Sequence, residues 1–276
     1  MFDDNRLKPV YRSPIRAYLG KKYYTVNRYW TWLLQKNMAG FDRSLQTPYT
    51  IFTHSTPILR QLKDVDMWLQ HNKKINLEIA LKTIDGLVIK PGETFSYWRS
   101  IGRPSAKKGY VEGMVLHYGK FKPGVGGGLC QLSNMIYWMV LHTPLTVVER
   151  HRHGFDCFPD SNRKLPFGSG ATCVYNYRDL QVKNNSNESY RLDIKIVKDD
   201  LVGKIVSDVD QHLIYKVYES HAKMTQSHWG PYIRHNEIRR RILSKDQILL
   251  DDEYVCENHA LMMYEPLLEY RSESVN

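Results

Sequence analysis

The segment GVGGGLCQLSNMIYWMVLH (124–142) sets a lone thiol, Cys130, at the point where a glycine run gives way to an apolar, helix-period stretch. A thiol in the opening turn of a helix sees the positive end of the macrodipole, which favours the thiolate. Gly124, Gly126, Gly127 and Gly128 make a flexible approach whose backbone N–H groups are free to point at a developing oxyanion, and Gln131 beside the thiol is a further donor. A cysteine nucleophile needs a base. LTVVERHRH (145–153) supplies His151 and His153 at alternate positions of an expected strand, so both imidazoles project from one face. A strand packed antiparallel to the helix brings that far end back to the helix start, and the pattern reads as a Cys–His pair suited to acyl transfer.

Two blander or different readings use the same residues. The glycines can form only a tight turn, with Cys130 as core packing. Cys130, His151, His153 and Cys157 are also ligand types for a metal, although they lack a recognised zinc spacing. A glycine triplet without a following GK[ST] is not a phosphate-binding loop, and no cofactor is called for.

The elements that must position these residues follow from periodicity. A short amphipathic helix is predicted over Val26–Lys36, and Pro57 is expected to open another over Ile58–Gln70. Asn76 is the expected cap of a helix through LEIALKTIDG, closed by Gly86. LVIKPGETFSYW (87–98) reads as two strands around the Pro91-Gly92 turn, and VEGMVLHYG (111–119) as a further strand. Leu132, Met135, Ile136, Met139 and Val140 share one face of a helix that starts at Cys130 and is stopped by Pro144. From Ala171 to Asp208 the pattern is strand and turn, and the tail from Leu213 mixes short strands with charged segments such as Arg239–Arg241. The expected fold class is α+β: N-terminal helices, then a mixed or antiparallel β-rich core with a central helix carrying Cys130. The expected division is a basic, aromatic helical region at 1–75 packed on the core, a core at 76–208 and a mixed extension at 209–276.

Composition bounds the function classes. Of 276 residues 42% are hydrophobic and 25% charged, which excludes a disordered or collagen-like chain. A net charge of +10 favours anionic partners, including peripheral contact with an anionic membrane, but no basic–aromatic module for nucleic acid recurs. No apolar run reaches the ~20 residues that cross a bilayer, and Asp3 and Asp4 stand where a secretory signal needs positive charge. The expected location is cytoplasmic, where Cys130, Cys157, Cys173 and Cys256 stay free thiols.

KPGETFSYW (90–98), GYVEG (109–113), GGGLCQLSNMIYW (126–138), LHTPLTVVERHRH (141–153) and ATCVYNYRDLQVKN (171–184), in this order, resemble the VanW family. The resemblance implies a role in glycopeptide (vancomycin) resistance. It also implies a cysteine-dependent acyltransferase of L,D-transpeptidase type, acting on peptidoglycan stem peptides. Carried over by motif, Cys130 is the nucleophile and His153 the general base. Gly127 and Gly128 shape the oxyanion region, and Arg150 pairs with a substrate carboxylate through its fork. Glu149 is expected to be a structural partner of an arginine. The chain departs from the pattern at Gly170, in GSGAT (168–172), where many members carry Asp. A non-catalytic accessory protein binding the same precursors is the alternative reading, and a metal-binding protein using Cys130, His151 and His153 a further one.

Overall fold

A computed structural model describes residues 7, 10, 12–60, 66–117, 120–157 and 165–264. The architecture is α+β. Ser13 caps α1 (Pro14–Leu34), accepting a hydrogen bond from the Arg16 N–H, and Pro14 opens the helix where a missing N–H costs nothing. β1 (Gly40–Phe41), β2 (Tyr49–Pro57), α2 (Met67–Leu81) and β3 (Leu87–Ile89) follow. Next come β4 (Thr94–Ser96), α3 (Tyr97–Ile101), the hairpin β5 (Glu112–His117) and β6 (Lys120–Val125), and α4 (Cys130–Val140). Then come β7 (Thr146–Glu149), β8 (Phe155–Asp156), β9 (Gln181–Lys183), β10 (Tyr190–Val197) and β11 (Asp200–Ser207). Three long strands end the described chain: β12 (Leu213–Gln226), β13 (Tyr232–Ser244) and β14 (Leu249–Met262). Among the described residues no helix is long and apolar enough to cross a membrane.

The main sheet has the order β1-β3-β10-β11-β2, with the described pairings antiparallel. Its inner face buries Tyr190, Leu192 and Ile194 from β10 and Leu201 and Ile205 from β11, the alternation of a half-buried sheet. Against it lies α4, whose Leu132, Met135, Ile136, Met139 and Val140 are all buried, as the helical spacing predicts. Gly203 of β11 makes this approach close: a Cβ there would stand 2.7 Å from the Met139 sulfur and 2.9 Å from that of Met135. A three-stranded sheet, β4-β9-β7, closes the other flank of the core, and β12-β13-β14-β8 forms a separate sheet.

Several expectations need correction. Pro57 ends β2 and pairs with Asp200, while Ile58 continues with its N–H on the Asp199 carbonyl and its side chain fully buried. β2 is an edge strand, where a proline at the terminus breaks no ladder bond. The predicted helix over 58–70 is therefore replaced by a strand end and by α2 from Met67, with 61–65 outside the described residues. Asn76 is no cap; it sits inside α2 with its side chain fully buried. α1 begins twelve residues before the predicted Val26 and ends at Leu34. The 1–75 stretch also supplies β1 and β2, and the tail forms long strands in place of short ones. The strands around Pro91-Gly92 form as expected, although β3 and β4 belong to different sheets.

Candidate functional site

Cys130 is the first residue of α4, and the loop before it is clamped from both sides. Asn76 donates to the carbonyls of Gly127 (2.9 Å) and Val111 (3.0 Å) and accepts from the Val111 N–H. Gly127 packs directly on the backbone of Gly113, so that a Cβ on Gly113 would fall 2.5 Å from the Gly127 carbonyl oxygen. The Gly127 N–H bonds the Gly124 carbonyl and the Gly128 N–H that of Met114, both at 2.9 Å. These glycines are therefore required by close backbone packing, and the N–H groups expected to face an oxyanion are already committed. Gln131 is committed as well: its Nε2 donates to Thr56 Oγ1 and to the Pro57 carbonyl, tying α4 to the end of β2.

The thiol itself is not primed. Cys130 keeps some exposure as a residue, yet its sulfur is enclosed near Tyr97 and Cys173 and its pKa is raised by burial. The Cys173 N–H donates to the sulfur without offsetting that effect. Desolvation thus works against the thiolate that the helix start was expected to favour.

The histidines lie beyond the strand expected to carry them, because β7 ends at Glu149. The segment does return to the helix start by one intermediary: Thr172 N–H bonds the His151 carbonyl at 2.8 Å, and the neighbouring Cys173 bonds the Cys130 sulfur. His151 Nε2 meets Glu149 Oε1 at 2.9 Å. His153 is held neutral down to about 4 by burial and by the charges of Arg178 and Arg152. Among the described residues neither imidazole has a hydrogen bond to Cys130. Arg150 is not free for a substrate: its guanidinium binds the carbonyls of Gly170 and Gly168 and Asn258 Oδ1, over the Tyr137 ring. Among the described residues no three His, Cys, Asp or Glu side chains gather as a metal site, so Cys130, His151, His153 and Cys157 are not assembled into one. At Gly170 a Cβ would stand 2.6 Å from Asn134 Oδ1, the acceptor of the Ala171 N–H, so an Asp here requires the Asn134 side chain to shift and give up that bond.

Two groups, Asp179 and Lys73, were not singled out, and a third, Glu149, does more than expected. Glu149 pairs with an arginine, as expected, but it is also a hub. Burial alone would raise its pKa, but His151, Arg28 of α1 at 2.5 Å and the Asp179 N–H together hold it at about 2. Asp179 is fully buried and pushed up to about 6 by that burial, although Ser96 and the Trp98 N–H donate to it. Lys73 of α2 packs on Gly128, two residues before the thiol. It is 7% exposed, and its ammonium is bonded to the neutral Gln70 amide oxygen at 2.8 Å. Burial, with Arg60 nearby, lowers its pKa to about 8. A charged residue on an otherwise ordinary helix face leaves no periodic signal, which is why Lys73 was not legible.

The site and fold therefore define an α+β protein whose central helix is entered through a packed glycine triplet beside a buried cation. Residues 72–206 match the family model described as VanW like protein. Vancomycin B-type resistance protein VanW of Enterococcus faecalis is 34% identical over 185 residues, 67% of this chain and 67% of that protein. YoaR of Bacillus subtilis, described as uncharacterized, is 31% identical over 116 residues, 41% of this chain and 36% of its own. No solved structure matches. The chain belongs to the VanW family.

Proposed function

We propose that this protein serves glycopeptide resistance as an accessory protein that binds peptidoglycan precursors by the carboxylate of their stem peptide, at the glycine-framed start of α4. The observation that carries this reading is Lys73, a buried ammonium beside Gly128 that has a neutral partner and a second cation, Arg60, nearby. Burying such a charge without a carboxylate is unfavourable, and an incoming anion relieves the cost. The protonated Cys130 thiol then forms part of the wall. The relative from Enterococcus faecalis, named for vancomycin resistance, supplies the biological setting.

The test is calorimetric titration with a synthetic stem peptide and with its C-terminal amide. The acid binds, the amide binds worse, and Lys73→Met weakens the acid by roughly tenfold or more through loss of a charge-assisted bond. Equal binding of acid and amide, or an unaffected Lys73→Met protein, overturns the reading.

Cysteine acyl transfer of L,D-transpeptidase type is the second reading. It is favoured by the His151–Glu149 pair, which lies one backbone bridge from Cys130. In that chemistry the Cys130 sulfur attacks a stem-peptide carbonyl and expels the terminal amino acid, with an imidazole taking the thiol proton. It requires a mass adduct with a tetrapeptide stem that Cys130→Ala abolishes, and alkylation of Cys130 much faster than of Cys256. The accessory reading expects neither.

A further inference from the structure

α1 turns its apolar face away from the protein. Its inner face is fixed by polar contacts: Arg28 to Glu149, the Tyr29 hydroxyl to that of Tyr175 at 2.9 Å, and the Thr25 carbonyl to Asn176. Trp32 on that face packs partly buried against the core. The opposite face carries Ile15, Leu19, Tyr23, Val26, Trp30 and Leu33, spaced three or four residues apart and 53–73% exposed. No residue of the helix is buried. A stripe of this kind normally faces a core, so its outward orientation requires an occupant.

The charge pattern selects one. The helix sequence PIRAYLGKKYYTVNRYWTWLL contains Arg16, Lys21, Lys22 and Arg28 and no acidic residue. Arg28 is neutralised by Glu149 and Lys21 shares its side of the helix, which leaves Arg16 and Lys22 beside the apolar stripe. A second copy seated on this face would set two acid-free basic helices together, with no carboxylate on either to pair. An anionic bilayer surface supplies the missing negative charge. It also suits tryptophan and tyrosine, whose amphipathic rings belong at the level of the headgroups. The helix is not apolar enough to cross, so it lies in the plane of the interface.

We propose that α1 is an interfacial anchor that docks this protein on an anionic lipid surface through Leu19, Tyr23, Val26 and Trp30, with Arg16 and Lys22 on the headgroups. The inference is independent of what the α4 site binds. It is tested on the full chain by flotation with vesicles of equimolar phosphatidylglycerol and phosphatidylcholine, against phosphatidylcholine alone. Binding to the anionic vesicles is expected, weak on the neutral ones and reduced at about 0.5 M salt. Leu19→Gln, Val26→Gln and Trp30→Gln together lower partitioning about 100-fold or more. Arg16→Gln and Lys22→Gln together lower it about 30-fold at low salt. Brominated acyl chains quench tryptophan emission, and Trp30→Phe removes most of that quenching. Three results overturn the proposal: no vesicle binding, binding that both the apolar and the charge variants retain, or binding lost only in the charge variant with no quenching. A dimer that the apolar triple variant dissolves, without lipid binding, assigns the face to a second copy instead.

Discussion

Gly127→Ala separates two roles for the glycine triplet, because an oxyanion-shaping glycine and a packing glycine predict different losses. The new Cβ would stand 2.7 Å from the Gly113 Cα and closer still to its carbonyl, where ordinary contact begins at 3.4 Å. Both partners are backbone, so no side chain can swing aside, and β5 must move from the loop by well over half an ångström. That displacement strains the Asn76 bond to the Gly127 carbonyl, the Gly128 N–H to Met114 and the Gly126 N–H to Val111. Overpacking of this kind costs about 1–3 kcal/mol, and the weakened bonds add about 1 kcal/mol each when fully lost. A total of about 3–5 kcal/mol corresponds to a fall in Tm of roughly 10 °C for a chain of this size.

Scanning calorimetry with urea denaturation as a second measure reads this loss. Gly20→Ala is the control, because a Cβ there meets nothing within 4 Å and alanine favours a helix interior by about 1 kcal/mol over glycine. A Gly127→Ala protein whose Tm stays within about 2 °C of the parent refutes the packing argument, since strain on the scale worked above could not hide in so small a change.

The remaining predictions concern acid. Glu149 has a folded pKa of about 2 against an ordinary 4.5, so its contribution is present above 4.5 and lost as pH falls through about 2. With allowance for partial solvent screening it is worth about 2 kcal/mol. Glu149→Gln should lower Tm at neutral pH and flatten its decline between pH 4.5 and 2; an unchanged decline refutes the assignment. His142, stacked on Phe52, is kept neutral down to about 4 by burial. The unfolded chain binds that proton from 6.5 downward, so stability falls as pH drops from 6.5 to about 4. His142→Phe, which preserves the stack, should make that fall shallower in urea titrations at successive pH values.

The legible part of this protein was its local periodicity. Leu132 to Val140 repeats at helical spacing and forms α4, and Tyr190, Leu192 and Ile194 alternate and form an inner sheet face. Proline was legible only as a break: Pro57 stops backbone hydrogen bonding at a helix start and at an edge-strand end alike, and pairing with β11 decided between them. Asn76 misled for a related reason. The side chain that caps helices also bridges backbones, and inside α2 it holds Val111 and Gly127 together. The family was readable because five motifs keep their order.

At the start of α4 the expected electrostatics do not hold. A thiol at a helix start has a lowered pKa only while its sulfur retains solvent or a cationic neighbour, and sequence does not say which way the side chain turns. Here the rotamer places the sulfur against Cys173 and Tyr97, where desolvation prevails. The long-range contact that no spacing could supply is Arg28 to Glu149, across 121 positions.

That contact makes Glu149 the point where α1, the His151 segment and the buried Asp179, two residues before β9, meet. One carboxylate oxygen, Oε1, takes all three donors, so the lean of α1 on the body and the seating of His151 are set by the same atom. Removing the Arg28 charge leaves Glu149 with His151 and one N–H, and raises the proton affinity of that carboxylate toward its ordinary value. Attachment of the helix and protonation at the candidate site are therefore linked by geometry. A force that pulls on Arg28 of α1 acts on the same carboxylate oxygen that His151 bonds.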